Sequence, residues 1–117
     1  MADEPRILIV EDDVLIGMML VDMFDALGLP EPAQATTNDE ALAAIAGGAI
    51  AGALVDINLG EEKGWPVADA LAERGIPFVF TSGGGDIVPS AHTHRKLVTK
   101  PFRISDIAAA LEAFSAE

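Results

Sequence analysis

Acidic side chains and a lysine stand at or just after the ends of three apolar runs in this chain. An acidic triplet at 11–13, Asp56 and Lys100 each follow such a run. Short apolar runs bounded by turn residues are typical of strands buried on both faces. Open α/β sheets hold their ligands at the carboxyl ends of such strands. Carboxylates suit a divalent cation and an ammonium suits a phosphoryl group, so the pattern predicts a site for both.

The composition limits the classes of function that remain. The chain has 117 residues, half of them apolar, which fits one globular domain with a real core. It has no cysteine, which excludes disulfides, thiolate metal ligands and cysteine nucleophiles. Its net charge of −12 would repel a nucleic-acid backbone. No signal segment or long uncharged apolar stretch is visible, so we expect a cytoplasmic protein that binds neither nucleic acid nor membrane.

Strand-like runs alternate with helical patterns along the whole sequence. The expected strands are 6–10, 32–36, 52–56, 77–81 and 97–99. The expected helices run from the cap Asp13 to Leu27, from the cap Asn38 to Ala46, from Pro66 to near Gly75, within 86–94, and onward from Ser105. Residues 60–64 are expected to be a loop. Because each crossover between parallel strands is right-handed, the alternation predicts an α/β fold with a doubly wound, five-stranded parallel sheet, as a single domain over 1–117.

The polar ends of these strands occur in a characteristic order. An acidic pair at 11–12, Asp56, a hydroxyl pair at 81–82 and the triplet 100–102 (Lys-Pro-Phe) follow the first, third, fourth and fifth strands. In this order they resemble the receiver domain of two-component response regulators, over essentially the whole chain. The chain is similar in particular to stand-alone, CheY-like receivers without an output domain. The resemblance implies a flavodoxin-like fold with the sheet order 2-1-3-4-5.

The resemblance also implies a function, that of a phosphoacceptor switch in a phosphorelay. Asp56 would transiently accept a phosphoryl group from a histidine kinase or a histidine-containing phosphotransfer protein, in the presence of Mg²⁺. Output would come through interaction with a downstream protein. The chain would not be an enzyme beyond hydrolysing its own acyl phosphate. The alternative is a constitutive interaction module that keeps the receiver fold and is not phosphorylated.

The family pattern assigns ligands for Mg²⁺. Asp12 and Asp56 would coordinate the ion through their carboxylates and Asn58 through its backbone carbonyl, while Glu11 would act through a water molecule. Oxygen ligands with some retained water are what this ion prefers. Asp13 competes with Asp12 for the role, but the family register leaves Asp13 as the helix cap. Without a cation, acids packed this closely would repel each other.

A cation and a hydroxyl complete the expected site. Lys100 would place its ammonium against a phosphoryl oxygen, and the resemblance implies a cis peptide bond between Lys100 and Pro101. The switch hydroxyl is either Thr81 or Ser82. The family carries it five residues after the proline that opens the strand, here Pro77. This spacing favours Ser82.

Departures from the family concern the output of the switch. Leu97 stands at the switch position where the family often has Tyr or Phe, and the chain has no tyrosine. A leucine cannot present an amphipathic ring, so an aromatic switch is not expected. Three glycines at 83–85 add backbone freedom after the switch hydroxyl. The hypothesis is that residues 83–96 become ordered on phosphorylation or partner binding.

The first expected helix is apolar around most of its circumference and contains three methionines. Such a helix is buried or meets a partner, and methionine adapts to many contacts. We expect it to contact the helical bundle of the kinase or a second copy of the chain in a homodimer. Ordinary core packing is the other interpretation.

The histidines and the tryptophan receive no functional role. His92 and His94 have no third metal ligand nearby in the sequence, and both are expected to be solvated in a loop. Trp65 is expected to anchor the third helix or the loop before it.

Overall fold

Strands and helices alternate along the chain. The computed structural model describes residues 6–84 and 88–115. The strands are β1 (Arg6–Val10), β2 (Ala33–Ala35), β3 (Ile50–Asp56), β4 (Asn58–Leu59), β5 (Glu62–Lys63), β6 (Phe78–Ser82) and β7 (Leu97–Thr99). The helices are α1 (Val14–Ala26), α2 (Asn38–Ala46), α3 (Trp65–Glu73) and α4 (Ile104–Ser115), and a 3₁₀ turn spans Ser90–His92. No helix in this part of the chain is long and apolar enough to cross a membrane.

Within the described residues, five parallel strands form the main sheet, in the order β2-β1-β3-β6-β7. Counted along this sheet alone, the order is 2-1-3-4-5, which confirms the predicted doubly wound fold. The register aligns the strand ends, since Val10 pairs with Val55 and Asp56 pairs with Thr81. The polar residues that follow the strands therefore emerge together at one edge of the sheet.

Apolar side chains pack on both faces of the main sheet. The alternation along β3 sends Ala53 and Val55 to the face covered by α2 and α3, and Leu54 to the face covered by α1 and α4. Buried helix residues on the first face include Ala41, Ile45, Val67 and Leu71, and those on the second include Leu20, Phe24, Ile107 and Ala110. This burial stabilises the sheet by about 25 cal/mol per Å² of apolar surface, and so it fixes the positions of the strand ends.

Helix α1 has a buried and an exposed side. Asp13 caps it as predicted, because its carboxylate accepts the backbone amides of Leu15 and Ile16 at 2.9 and 3.2 Å. Leu20 and Phe24 are buried in the core, whereas the Leu15 side chain is 76% exposed. Its other large exposed apolar residues are Val14, Met18 and Met19. The core thus covers only part of the helix, and a partner for the exposed side stays a prediction.

Asn38 does not cap α2, and the predicted start of that helix was wrong. The Thr37 hydroxyl accepts the Glu40 backbone amide at 3.1 Å, and Asn38 is the first helical residue. A cap accepts a hydrogen bond from its own helix. The Asn38 amide instead donates to the segment after β3, where β4 and β5 pair as an antiparallel hairpin. The loop expected at 60–64 is part of this hairpin.

His92 is buried, and its predicted place in a solvated loop was wrong. Its side chain is 4% exposed, and Nε2 lies 2.7 Å from Asp69 Oδ1 on α3. The ring meets Phe78 and Phe80 of β6 edge to face. His94 is exposed, as expected. Of the short helix predicted within 86–94, the 3₁₀ turn is present, while residues 86–87 lie outside the described residues.

Candidate functional site

The ends of β1 and β3 bring Glu11, Asp12 and Asp56 together. Carboxylate oxygens from these side chains lie within 4.8 Å of one another. Glu11 and Asp56 are buried, at 5% and 2% exposure, whereas Asp12 is exposed. Asp13 turns toward α1 as its cap and donates its backbone amide to Glu11 Oε2 at 3.2 Å. The acidic pair expected at the site is therefore the pair that meets Asp56.

Lys100 reaches this cluster from the far end of β7. Its Nζ donates to Asp56 Oδ2 at 2.7 Å and lies 2.9 Å from Glu11 Oε1. Burial alone would lower the pKa of the ammonium, but the bonds to Asp56 and Glu11 outweigh it and the pKa is raised. Lys100 is thus held as a cation. We call Glu11, Asp12, Asp56 and Lys100 the acidic site.

The acidic site holds more negative charge than Lys100 neutralises. Burial raises the pKa of the Glu11 carboxyl from its ordinary value of 4.5 to about 7, aided by the hydrogen bond and charge of Asp56. Lys100 acts in the opposite direction without cancelling this rise. A divalent cation among these oxygens would relieve the repulsion. The donors are all carboxylate oxygens, which fit Mg²⁺.

The backbone around Asp56 is held closely. The Asn58 amide donates to Asp56 Oδ1 at 2.9 Å, so each carboxylate oxygen of Asp56 has its own donor. Gly64 packs against the end of β3, because a Cβ there would lie 2.6 Å from the backbone oxygen of Asp56. Its amide also donates to the carbonyl of Ile57 at 2.9 Å. These contacts orient the Asp56 carboxylate toward the site.

Thr81 and Ser82 end β6 beside Asp56, and both are buried. Thr81 pairs with Asp56 in the sheet, while Ser82 lies one position further. The Ser82 hydroxyl accepts the Gly84 amide at 2.9 Å, and its carbonyl accepts the Lys100 amide at 2.7 Å. Ser82 thus touches both the loop after β6 and the backbone of Lys100.

The Lys100–Pro101 bond is cis, as the resemblance implies. On β7, Val98 is buried and Leu97 is 41% exposed, as expected for successive residues of a strand. Leu97 pairs with Phe80 in the sheet. A role for Leu97 in switching stays a prediction.

The hairpin next to the site was missed by the sequence reasoning. Asn58 pairs with Lys63 across it, and Lys63 Nζ donates to Asn58 Oδ1. Strands of two residues carry no detectable periodicity. The available signal was Gly60, whose φ of 66° lies in the left-handed region that tight hairpin turns favour.

Comparisons with known proteins place these observations in context. No model of a protein family matches the chain, and neither does any curated protein. Among solved structures, the chain is 44% identical to SdrG from Sphingomonas melonis Fr1, covering 98% of this chain and 99% of that one, with a TM-score of 0.83.

Further matches agree with it. A BeF3-activated conformation of SdrG from Pseudomonas melonis Fr1 is 45% identical, with 97% and 98% of the two chains covered and a TM-score of 0.79. The REC domain of the response regulator PhyR from Erythrobacter litoralis is 29% identical, with 96% and 90% covered and a TM-score of 0.75.

Proposed function

The chain belongs to the receiver-domain family of response regulators, and from this premise we propose that it is a two-component signalling switch phosphorylated on Asp56. One observation carries the proposal. The buried Asp56 carboxylate accepts a hydrogen bond from the Lys100 ammonium at 2.7 Å and has carboxylate oxygens of Glu11 and Asp12 within 4.8 Å. This arrangement supports a cation site and a phosphoryl site that would meet at Asp56.

In the proposed reaction, a carboxylate oxygen of Asp56 attacks the phosphorus of a phosphohistidine on a kinase or phosphotransfer protein. The P–N bond breaks, the histidine leaves, and an acyl phosphate forms on Asp56. The transition state of such transfers is loose, so positioning and charge neutralisation matter most. The Asp56 carboxylate is already held through both of its oxygens, since the Asn58 amide donates to Oδ1 and the Lys100 ammonium donates to Oδ2.

Mg²⁺ is proposed as the cofactor. Asp12, Asp56 and the backbone carbonyl of Asn58 would hold it directly, and Glu11 would do so through water. The ion supplies charge neutralisation for the phosphoryl oxygens. Lys100 would then exchange part of its contact with Asp56 for a phosphoryl oxygen, as a point charge that tolerates this change.

Ser82 is proposed to pass the signal on. Its hydroxyl accepts the Gly84 amide at 2.9 Å in the structure described. A phosphoryl oxygen on Asp56 would compete for this hydroxyl, and the change would reach the loop after β6. Leu97 lacks the aromatic ring that the family often has at this position, so we assign the output to this loop. The output would be contact with another protein.

The BeF3-activated conformation of SdrG supports the proposal, since beryllofluoride is a chemical mimic of a phosphoryl group. Residual water attack on the acyl phosphate would be the only catalysis the chain performs. We expect it to have no turnover with unrelated phosphate esters.

Incubation with Mg²⁺ and acetyl phosphate tests the proposal. Intact-mass spectrometry should show one phosphoryl adduct on the wild type, which a magnesium chelator or the Asp56→Asn substitution abolishes. Asp13→Asn is the matched control, because Asp13 is a neighbouring acid that serves as a helix cap, and it should still be labelled. No adduct on the wild type would refute the switch and favour the constitutive module.

A further inference from the structure

Asn38 is a buried polar residue whose side chain does not cap its own helix. It is 7% exposed, and Thr37 performs the capping of α2. Its Nδ2 donates to Glu62 Oε1 at 3.0 Å and to the backbone carbonyl of Lys63 at 2.9 Å. Burying a side-chain amide costs free energy unless its hydrogen bonds are made. These two hydrogen bonds offset that cost for Asn38. Both acceptors belong to β5, the outer strand of the hairpin.

The hairpin in turn reaches the acidic site. Its strands pair Glu62 with Leu59 and Lys63 with Asn58. The amide of Asn58 donates to Asp56 Oδ1. At the turn, a Cβ on Gly60 would lie 3.7 Å from Asp12 Oδ2. The base of the hairpin therefore donates a hydrogen bond to Asp56, and its turn lies near Asp12.

So short a hairpin cannot hold this position alone. Two-stranded hairpins are marginal in water, even with longer strands than the two-residue strands here. Leu59 buries β4 in the core, and the hydrogen bond from Gly64 to Ile57 closes the base of the hairpin, but neither contact ties the outer strand β5 to the domain. Asn38 supplies such a tie, from the first turn of a helix that is anchored in the core by Ala41 and Ile45.

We propose that Asn38 is a positioning residue for the magnesium site. It fixes β5 to α2, β5 fixes β4, and β4 presents the backbone carbonyl of Asn58 that the proposed function assigns to Mg²⁺. The inference rests on that proposed function. Removing a residue that orients a metal ligand typically lowers the metal affinity about 10- to 100-fold.

Magnesium affinity of the full chain tests the inference, read by isothermal calorimetry and by the fluorescence of Trp65, the single tryptophan. Asn38→Ala should raise the Kd for Mg²⁺ by about tenfold or more. It should raise the Mg²⁺ concentration for half-maximal labelling by acetyl phosphate to a similar extent, while labelling at saturating Mg²⁺ stays near that of the wild type. Asn38→Asp should bind at least as weakly, because its carboxylate would face Glu62.

Matched variants separate positioning from stability. Ile45→Val removes a methyl group from the core side of the same helix, so it should lower stability and leave the Kd unchanged. Glu62→Gln keeps the acceptor for Asn38 and should bind Mg²⁺ nearly as the wild type does. In the Asn38→Asp/Glu62→Gln double variant, the new amide can donate to the new carboxylate, and part of the affinity should return.

The outcomes distinguish this inference from the proposed function. If the wild type binds Mg²⁺ and is labelled, but Asn38→Ala has the same Kd, the positioning role is wrong and the switch stands. If Ile45→Val weakens binding as much as Asn38→Ala, the effect is one of stability and the role is also wrong. If the wild type binds no Mg²⁺, the proposed cofactor and the positioning role both fail.

Discussion

At the scale of single residues, the central feature is the unequal environment of the carboxylates in the acidic site. Asp56 receives a hydrogen bond from Lys100 and one from Asn58. Glu11 is buried beside Asp56, and its pKa is raised from 4.5 to about 7. Glu11, not Lys100, is therefore the group of this cluster whose protonation changes near neutral pH, because burial and the neighbouring Asp56 raise its pKa.

The raised pKa of Glu11 predicts a pH dependence of stability without Mg²⁺. Because the folded protein holds this proton more tightly than the unfolded chain, the contribution of Glu11 to stability is fully present below its unfolded pKa of 4.5. It is lost as the pH rises through the folded value of about 7. In the Glu11→Gln variant, the side chain at position 11 cannot titrate. Relative to this variant, the wild type should lose free energy of unfolding between about pH 5 and about pH 8.

Urea unfolding of both proteins in a magnesium chelator measures this difference. Comparing the two cancels the contributions of the acids that do not contact Glu11, of which the chain has many. A difference that does not change with pH would contradict the raised pKa.

At the scale of elements, the hairpin segment between β3 and α3 returns to pack against Asp56. Gly64 lies so close to the backbone of Asp56 that a side chain has no room. The exposed apolar side of α1 is a second feature at this scale. It keeps its predicted role as a contact for a kinase or a second copy.

Gly64→Ala should destabilise the protein by about 1–3 kcal/mol, because backbone atoms must move to admit the methyl group. Gly83→Ala is the control, since a Cβ on Gly83 would meet nothing within 4 Å. Urea unfolding should separate the two, and Gly64→Ala should also weaken labelling of Asp56. Equal stability of the two variants would show that the close approach is not tight.

The sequence predicted the features that depend on the residues at the ends of the strands. Asp56 and Lys100 follow apolar runs, so their meeting at one edge of the sheet was foreseeable from the parallel topology. The hairpin and the tie from Asn38 were not, because β4 and β5 are too short to show a period. His92 was placed in solvent because its partner Asp69 is 23 residues away, and a local pattern cannot reveal such a pair.

At the scale of the whole molecule, the charge of −12 sets how the fold responds to cations. Any salt screens the repulsion among surface acids and raises stability somewhat. A cation bound at the acidic site adds a stabilisation that grows with the logarithm of its concentration above Kd and reaches about 2.7 kcal/mol at about 100 times its Kd. Only the effect of the bound cation should depend on Asp12, which belongs to the acidic site.

Mg²⁺ should raise the thermal midpoint of the wild type by much more than NaCl does at the same ionic strength. Asp12→Asn should show only the rise that NaCl gives, since Asp12 is exposed and its loss leaves the core intact. Differential scanning calorimetry measures both. The same magnesium-specific rise in Asp12→Asn would place the bound ion elsewhere.

The position of the phosphoryl group is the most direct test of the switch. An acyl phosphate on aspartate is reduced by borohydride to homoserine, which marks the acceptor covalently. After treatment with acetyl phosphate and Mg²⁺, then borohydride, peptide sequencing by mass spectrometry should find homoserine at position 56. Homoserine at position 12 or 13, or at no position, would contradict the assignment of Asp56 as the phosphoryl acceptor.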